Sequence, residues 1–385
     1  MKIIKYLFNF FFGKFIFSLL KNKSILFVDN RFLGSFLNFM YYKLSLNEDV
    51  IVIFEPNFFN KNKKNYLQYI LFEHAYYDIK KKKLNFFYNY FLYFFFLTIL
   101  DKKYINLFKF SWSQDIFNLF IKNDKIIFDP VIRNIQNKDT NFTKLKNNNF
   151  LLFSCRDDAY KEKIHGKKLN FHSYRNDSLI NYEKSFTSLK KQFNIVRFGS
   201  VASEKVKSEG IFDYSFSEDR NEINDLWLMK NCYIYIGTGS GPDTLAINYQ
   251  KPIVYTNWIH PPNIFGFHSP VNLIFKKIFD KKNNEYISYK KLIDKNNIGV
   301  SGKPLGLLYT NQELEENNLI AEENSADEIE NAIKELDMFL RKKYIFNSNN
   351  QDHFRNFYRL YSNNPISDNF YISDYFINKN KKLFI

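Results

Sequence analysis

The chain has 385 residues, which is too long for one ordinary core and suits two domains of moderate size. Its 55 Lys and Arg outnumber its 40 Asp and Glu, which gives a net charge of +15. A strongly basic chain can bind nucleic acid or an anionic membrane. Here the Lys residues are spread along the whole chain, without an RNA-binding, zinc-finger or helix-turn-helix motif, so we predict no nucleic-acid partner. Phe, Tyr, Lys, Ile and Asn all have AT-rich codons, and a codon bias accounts for much of this composition.

Two apolar, aromatic segments bear on localisation. Residues 1–20 and 86–100 are interrupted or bracketed by Lys and are too short to span a bilayer comfortably. Each is either an amphipathic segment on a membrane surface or a helix packed inside the protein. No small-residue cleavage site follows the first segment. We predict a cytoplasmic protein, and the segments leave open a peripheral contact with the inner face of the cytoplasmic membrane.

The N-terminal half predicts a first α/β domain. Apolar runs at Ser24–Val28 and Val50–Phe54 predict two buried strands, and residues 125–128 predict a third. Residues 134–149 are polar, Asn-rich and without a hydrophobic period, which is typical of a linker. We therefore predict a first, Rossmann-like domain over residues 1–133 and a linker at 134–149.

After the linker, predicted strands alternate with predicted helices. Four apolar runs predict buried strands: 150–154, 194–198, 232–236 and 252–256. Helical signals fill the intervals, with the apolar stripe Leu179, Tyr182, Phe186, Leu189 and Phe193, a short helix at 222–230, a helix at 242–249, and a helix after the capping-box pair Ser325 and Glu328. This alternation predicts a doubly wound parallel sheet. We assign residues 150–340 to a second Rossmann-like domain and residues 341–385 to a helical tail.

The most informative feature is the sequence GTGSGPD at residues 237–243. Three of the 12 Gly of the chain fall within five residues, between a predicted strand and a predicted helix. Gly lets the chain turn sharply and lets a ligand approach the main chain, and Pro242 is well tolerated in a first helical turn. The free N–H groups of this helix end and the hydroxyls of Thr238 and Ser240 could bind a phosphate. The spacing matches neither the dinucleotide fingerprint nor a Walker loop, so a tight turn without a ligand is the alternative.

Polar residues also follow the other predicted strands of this half, at the strand ends where open α/β sheets bind ligands. The candidates for phosphate or ligand contact are Arg156, His172, Arg175 and Gly199. Guanidinium groups can hold a diphosphate through paired hydrogen bonds. Solvated or ion-paired arginines are the alternative, and Arg197 and Arg220 suit a ligand role less well than Arg156 and Arg175.

Four runs of this half resemble a family of bacterial glycosyltransferases. They are CRDDAY at 155–160, HSYRND at 172–177, NIVRFGS at 194–200 and CYIYIGTGSGPDTLAINYQKPIVYTN at 232–257. They occur in the family's order, and the resemblance covers about residues 150–340. The Gly-Pro helix entry followed by Lys-Pro is also similar to the donor-binding loop of lipopolysaccharide heptosyltransferases.

The resemblance implies two Rossmann-like domains in the GT-B arrangement, with a cleft between them: residues 1–133 would be the acceptor domain and residues 150–340 the nucleotide-sugar donor-binding domain. It implies that Thr238, Ser240, Gly241 and Asp243 hold the diphosphate and ribose of a nucleotide-sugar donor. The second substrate would be a glycan or a lipid-linked acceptor, in surface-polysaccharide biosynthesis.

The sequence offers one candidate for the catalytic base. Related proteins carry a Gly-His pair after the first strand, where this chain has Gly34 and Ser35. An inverting transfer needs a carboxylate or a His to deprotonate the acceptor hydroxyl, and Asp29, at the exit of the first strand, is the remaining candidate. His260 and His268 lie in a Pro-rich loop that could contact the sugar, although a lone loop His is more often structural.

No residues with metal-ligand spacing are visible, so we predict no cofactor and a metal-independent reaction in which Arg side chains and helix N–H groups stabilise the leaving diphosphate. The leading prediction is a glycosyltransferase that uses a nucleoside diphosphate sugar. The alternatives are a sugar-nucleotide epimerase of the same fold and a non-catalytic basic protein that binds membranes or nucleic acid.

Overall fold

The computed structural model describes residues 149–167, 170–262, 269–361 and 366–385, together with Phe142, Leu145 and the two strands Ser24–Val28 and Val50–Phe54. Several predictions fall outside these residues: the candidate base Asp29, His268, the strand at 125–128 and the two apolar segments. The chain divides into two compact units, one made of Met1–Leu119 and Asn123–Asn134, the other of Phe120–Lys122 and Ile135–Ile385. In the first unit, Ser24–Val28 and Val50–Phe54 pair as parallel strands.

The strands and helices are numbered in chain order over the described residues. The strands are β1 Ser24–Val28, β2 Val50–Phe54, β3 Phe150–Phe153, β4 Asn194–Arg197, β5 Ile211–Asp213, β6 Ile234–Gly237, β7 Ile253–Trp258, β8 Val271–Phe275, β9 Lys277–Asp280, β10 Glu285–Tyr286, β11 Leu319–Glu322 and β12 Phe370–Ile372. The helices are α1 Ala159–His165, α2 Leu179–Ser185, α3 Glu222–Asn231, α4 Asp243–Asn248, α5 Tyr289–Ile293, α6 Asn311–Glu316, α7 Ala326–Leu340, α8 Ser348–Tyr361 and α9 Asp374–Lys379. Short 3-10 turns lie at Ser173–Arg175, Leu189–Lys191, Tyr214–Phe216, Leu305–Leu307 and Lys381–Phe384.

The second unit is built on a seven-stranded sheet in the order β12-β8-β7-β6-β3-β4-β5, with every neighbouring pair parallel. The central strands β3, β6, β7 and β8 are buried along their whole length, as continuous apolar runs in a sheet covered on both faces should be. Helix α7 packs on β7 and β8 and against α2. The parallel α/β class predicted from the sequence is confirmed for this unit.

The strand order creates one crevice where a ligand can enter. From β3 the chain moves outward to β4 and β5, and it then returns to β6 on the other side of β3 and continues to β7 and β8. Neighbouring connections thus leave β3 and β6 in opposite directions, and ligands of open α/β sheets bind at the carboxyl ends of such a strand pair. We call this place the switch point: residues 154–158 follow β3 there, and residues 238–243 follow the neighbouring strand β6.

Where the structure describes the chain, the predicted strands and helices agree with it within a few residues, with two differences. The stripe from Leu179 to Phe193 is buried, but the helix ends at Ser185 and a 3-10 turn continues the apolar face. Helix α4 begins at Asp243 and has only six residues. The capping box is present, since the side chains of Ser325 and Glu328 each accept a hydrogen bond from the other's backbone N–H.

The C-terminal segment, predicted as a helical tail, also supplies a strand. β12 extends the main sheet beyond β8, and its residue Ile372 exchanges two hydrogen bonds with the Gln351 side chain of α8. An amide side chain that pairs with the outer edge of a strand protects that edge from other chains. Strands β9, β10 and β11 form a separate antiparallel sheet. Neither β12 nor this small sheet was predicted from the sequence.

Candidate functional site

The loop after β6 owes its shape to two of its glycines. Gly239 has a φ of 75°, in the left-handed region that side chains rarely adopt. At Gly237, a Cβ atom would lie 2.6 Å from Oδ1 of Asp243 and 2.6 Å from a ring carbon of Tyr235. Gly241 is not among the residues with positive φ. The backbone angles therefore do not account for glycine at position 241.

Asp243 holds this loop from inside. It is 1% exposed and accepts hydrogen bonds from the backbone N–H of Ser240 (2.7 Å), the Ser240 hydroxyl (3.2 Å) and the Tyr235 hydroxyl (2.8 Å). The Tyr235 hydroxyl also contacts the Ser154 hydroxyl at 2.6 Å, so the network joins β6 and α4 to the end of β3. Burial raises the pKa of Asp243 to about 6, against the opposing effect of the Tyr235 and Ser240 hydrogen bonds.

Two residues that were predicted to contact a ligand make hydrogen bonds within this network. Asp243 was expected to hold the donor's ribose, but its carboxylate is buried and already accepts hydrogen bonds from Tyr235 and Ser240. The Ser240 hydroxyl was expected to meet phosphate, but it donates to Asp243. Both residues position the loop in this structure rather than facing a ligand.

Two other groups of the loop have unused donors within the described part of the chain. The Thr238 hydroxyl oxygen is buried and has no hydrogen-bond partner there. The backbone N–H of Gly241 has no partner among these residues either, while its carbonyl accepts from Thr244. Helix α4 is too short for its dipole to add much, so these two donors are the groups of the loop that are available to an anion.

Arg156 follows β3 at the switch point, and the two acids after it serve neighbouring segments. Asp157 accepts from Ser203, and Asp158 accepts from Ser173 and from Asn176 at 2.6 Å each. The Arg156 side chain makes no hydrogen bond or ion pair with a described residue. Burial and the nearby Arg175 charge lower its pKa to about 10.

The Arg175 side chain reaches the loop after β6 from the turn Ser173–Arg175. Its Nη2 donates to the Gly239 carbonyl, and its buried Nε has no partner among the described residues. The turn is fixed by Lys276, whose ammonium donates to the carbonyls of Tyr174 (3.1 Å) and Asn176 (2.6 Å) and lies 3.8 Å from Asp177. Burial raises the pKa of Asp177 to about 7, although Lys276 opposes that shift.

Arg197 and Arg220, the other two arginines considered from the sequence, form ion pairs within the protein. Arg197 is buried between β4 and β5, where its Nη1 lies 3.5 Å from Oδ2 of Asp213. Arg220 pairs with the buried carboxylate of Asp225 at 3.5 Å. Ion pairs thus occupy these two arginines, whereas Arg156 and Arg175 form none with the residues that the structure describes.

His172 and His260 differ in whether a ring nitrogen is available to a ligand. Nδ1 of His172 donates to the Tyr309 carbonyl (2.8 Å), so Nε2 has no described partner, and burial lowers the His172 pKa to about 4. His260 is buried, with the Gly306 carbonyl near Nδ1 (3.3 Å) and the Tyr174 hydroxyl near Nε2 (3.1 Å). Burial lowers its pKa to about 3. His172 remains a candidate contact, whereas a sugar contact by His260 would require one of its present hydrogen bonds to break.

Of the remaining predicted site residues, the structure describes Gly199 but not Asp29 or His268. Gly199 lies at the carboxyl end of β4, where a Cβ atom would lie 2.9 Å from Oγ of Ser215. Within the described ranges, no group of three or more His, Cys, Asp or Glu could hold a metal ion. Among the helices of these ranges, none combines the length and the apolarity that crossing a bilayer requires. The roles of Asp29 and His268 stay predictions.

Sequence reasoning missed three residues of this site: Lys161, Tyr235 and Lys276. Tyr235 and Lys276 act through contacts with residues that are distant in the chain, whereas Lys161 lies near Asp158 and Phe171. Of the three, Lys276 alone had a visible signal in the sequence, because it directly follows an apolar strand; in the structure it is buried.

Comparisons with known proteins do not assign the chain to a family. No protein-family model and no curated protein matches the chain. A solved structure, the S. aureus MnaA-UDP co-structure, is similar with a TM-score of 0.29 and 11% sequence identity, over 84% of this chain and 97% of that chain. A TM-score this low carries no argument about fold or activity. The resemblance to bacterial glycosyltransferases therefore stays a prediction from the sequence.

Proposed function

We propose that this protein is a glycosyltransferase that takes its sugar from a nucleoside diphosphate sugar and binds the donor's diphosphate at the switch point. Arg156 and Arg175 would hold the phosphate oxygens, with the Thr238 hydroxyl and the Gly241 N–H completing the site. The two guanidinium groups come from different segments of the chain, one directly after β3 and the other in the turn Ser173–Arg175.

The observation that carries the proposal is a pair of interacting guanidinium groups at the switch point: Arg175 donates to the Gly239 carbonyl, and its charge acts on Arg156. Neither forms an ion pair with a described residue. Two like charges held together in a partly buried place are unfavourable without an anion between or beside them. Burial and the Arg175 charge accordingly lower the pKa of Arg156. Arginine pairs with phosphate through short, charge-assisted hydrogen bonds. The switch point is also where an open α/β sheet binds its ligand.

The choice of glycosyl transfer, rather than another reaction of a sugar nucleotide, is supported by the resemblance of residues 150–340 to bacterial glycosyltransferases. A sugar-nucleotide epimerase would use the same phosphate site. The acceptor, a glycan or a lipid-linked saccharide, would have to be activated by a base, and Asp29 is the residue that the sequence offers for this role.

The first test measures nucleotide binding by calorimetry or thermal shift, with UDP, GDP, ADP, dTDP and CMP at millimolar concentration. We expect at least one nucleoside diphosphate to stabilise the protein. Arg156→Ala and Arg175→Ala should each weaken that binding about tenfold or more, which corresponds to about 1.4 kcal/mol, and should affect the free nucleoside far less. The exposed Arg359→Ala is the matched control and should leave the affinity unchanged.

A second measurement separates the enzyme classes. The sugar nucleotide that binds best is incubated with the protein, and its products are analysed with and without added glycan acceptors. Turnover that needs an acceptor supports transfer, and interconversion of the donor sugar without an acceptor supports the epimerase. If no nucleotide binds at all, the proposed function is wrong.

A further inference from the structure

Lys161, in the first turn of α1, ends in a buried ammonium group that makes no hydrogen bond with a described residue. Its side chain is 17% exposed, and its nitrogen has no hydrogen-bond partner among these residues. The nearest carboxylate oxygen in an ion pair, Oδ1 of Asp158, lies 3.9 Å away, which is too far for a hydrogen bond. The other oxygen of Asp158 accepts from Ser173 and Asn176. Lys161 is therefore poorly neutralised by the part of the protein that the structure describes.

The Lys161 charge interacts with those of Arg156 and Arg175 at the switch point. Burial, with the charges of Arg156 and Arg175, lowers the Lys161 pKa to about 8, against the effect of Asp158. The ammonium also lies 5.3 Å from the ring centre of Phe171, whose side chain is 45% exposed. Three cations thus act on one another at this end of the sheet, and no hydrogen bond among the described residues would have to break for Lys161 to reach a ligand.

We propose that Lys161 is a third cation of the phosphate site and that the three cations together select nucleoside diphosphates over nucleoside monophosphates. This inference rests on the proposed function. A diphosphate carries a second phosphate group and hence more negative charge, so it gains more from a third cation. In a transfer reaction, the same cation would stabilise the charge that develops on the leaving diphosphate.

The test compares Lys161→Met with Lys163→Met, an exposed lysine of the same helix, by calorimetry with UDP and UMP. We expect Lys161→Met to weaken UDP binding about tenfold, or about 1.4 kcal/mol, and to weaken UMP binding much less. Lys163→Met should change neither affinity. Urea denaturation of both variants establishes that each is folded.

The pH dependence gives a readout that a merely structural lysine would not produce. The charged groups that act on Lys161 are Arg156, Asp158 and Arg175, and Lys161 in turn lowers the pKa of His172, which is already neutral well below pH 7. An anion raises the pKa of a neighbouring ammonium, so binding takes up a proton where Lys161 is partly neutral. The affinity of the unsubstituted protein for UDP should therefore fall as the pH rises through the Lys161 pKa of about 8, and that of Lys161→Met should fall less.

Two outcomes overturn the inference, and they differ in what else they affect. If Lys161→Met binds UDP and UMP as Lys163→Met does, while Arg156→Ala loses affinity, Lys161 is not a ligand but the proposed function stands. If the unsubstituted protein binds no nucleotide, the inference and the proposed function fail together.

Discussion

At the scale of single residues, the three glycines of the 237–243 loop are not equivalent. Gly237 leaves room for Asp243, and Gly239 adopts a positive φ. Gly241 does not have a positive φ, and its N–H has no partner among the described residues. A close approach by a ligand would explain glycine at this position.

The substitution Gly241→Val tests this explanation. A branched side chain would stand where the phosphate should approach, so we expect nucleoside diphosphate affinity to fall about tenfold or more, about 1.4 kcal/mol. Gly241→Ala should give a smaller loss. Because the φ of Gly241 is not positive, both variants should remain folded in urea denaturation. A folded Gly241→Val protein with unchanged affinity would show that the loop is only a turn.

At the scale of elements, the sequence predicted what depends on local patterns. Buried parallel strands are continuous apolar runs, so β3, β4, β6 and β7 could be found to within about two residues. The hydrogen-bond network of Asp243 could not be found in this way, because Tyr235 meets Ser154 only once β3 and β6 are neighbours. A polar residue beside a glycine loop looks the same in the sequence whether it faces a ligand or fastens the loop.

Asp243 links β6 and α4 to β3, and its raised pKa predicts how the free energy of unfolding changes with pH. Because the folded pKa of about 6 is above the value of an unfolded chain, the folded state binds this proton more tightly. The stabilising contribution is full below about pH 4, near the unfolded pKa, and is lost as the pH rises through about 6. The free energy of unfolding of the unsubstituted protein, minus that of Asp243→Asn, should therefore fall by up to about 1.4 kcal/mol per pH unit in this window and stay constant above it.

Urea denaturation across this window and up to neutral pH measures the difference. The histidines His172 and His260 titrate in both proteins, so their contributions cancel. The exposed Asp352→Asn is the control for the loss of one surface carboxylate. A difference for Asp243→Asn that does not change with pH would contradict the assigned shift.

At the scale of the whole molecule, the second unit depends on pairings between distant parts of the chain. The proposed phosphate site lies at β3 and β6, the turn that carries Arg175 is fixed by Lys276 directly after β8, and β12 from the C-terminal segment pairs with β8. Sequence periodicity could not predict β12, because its three residues carry no measurable pattern and its partner strand is about a hundred positions away.

The last prediction concerns this C-terminal strand. Ile372 is fully buried in β12, so Ile372→Ala should remove packing from the sheet edge and lower the free energy of unfolding by about 2–5 kcal/mol. Ile385→Ala, at a position that is 77% exposed in the same segment, should have almost no effect. Urea denaturation measures both. If residues 341–385 were a tail independent of the sheet, the two variants would be equally stable. If the segment is part of the sheet, only Ile372→Ala is destabilised, and the unfolding transition should remain a single step for the whole second unit.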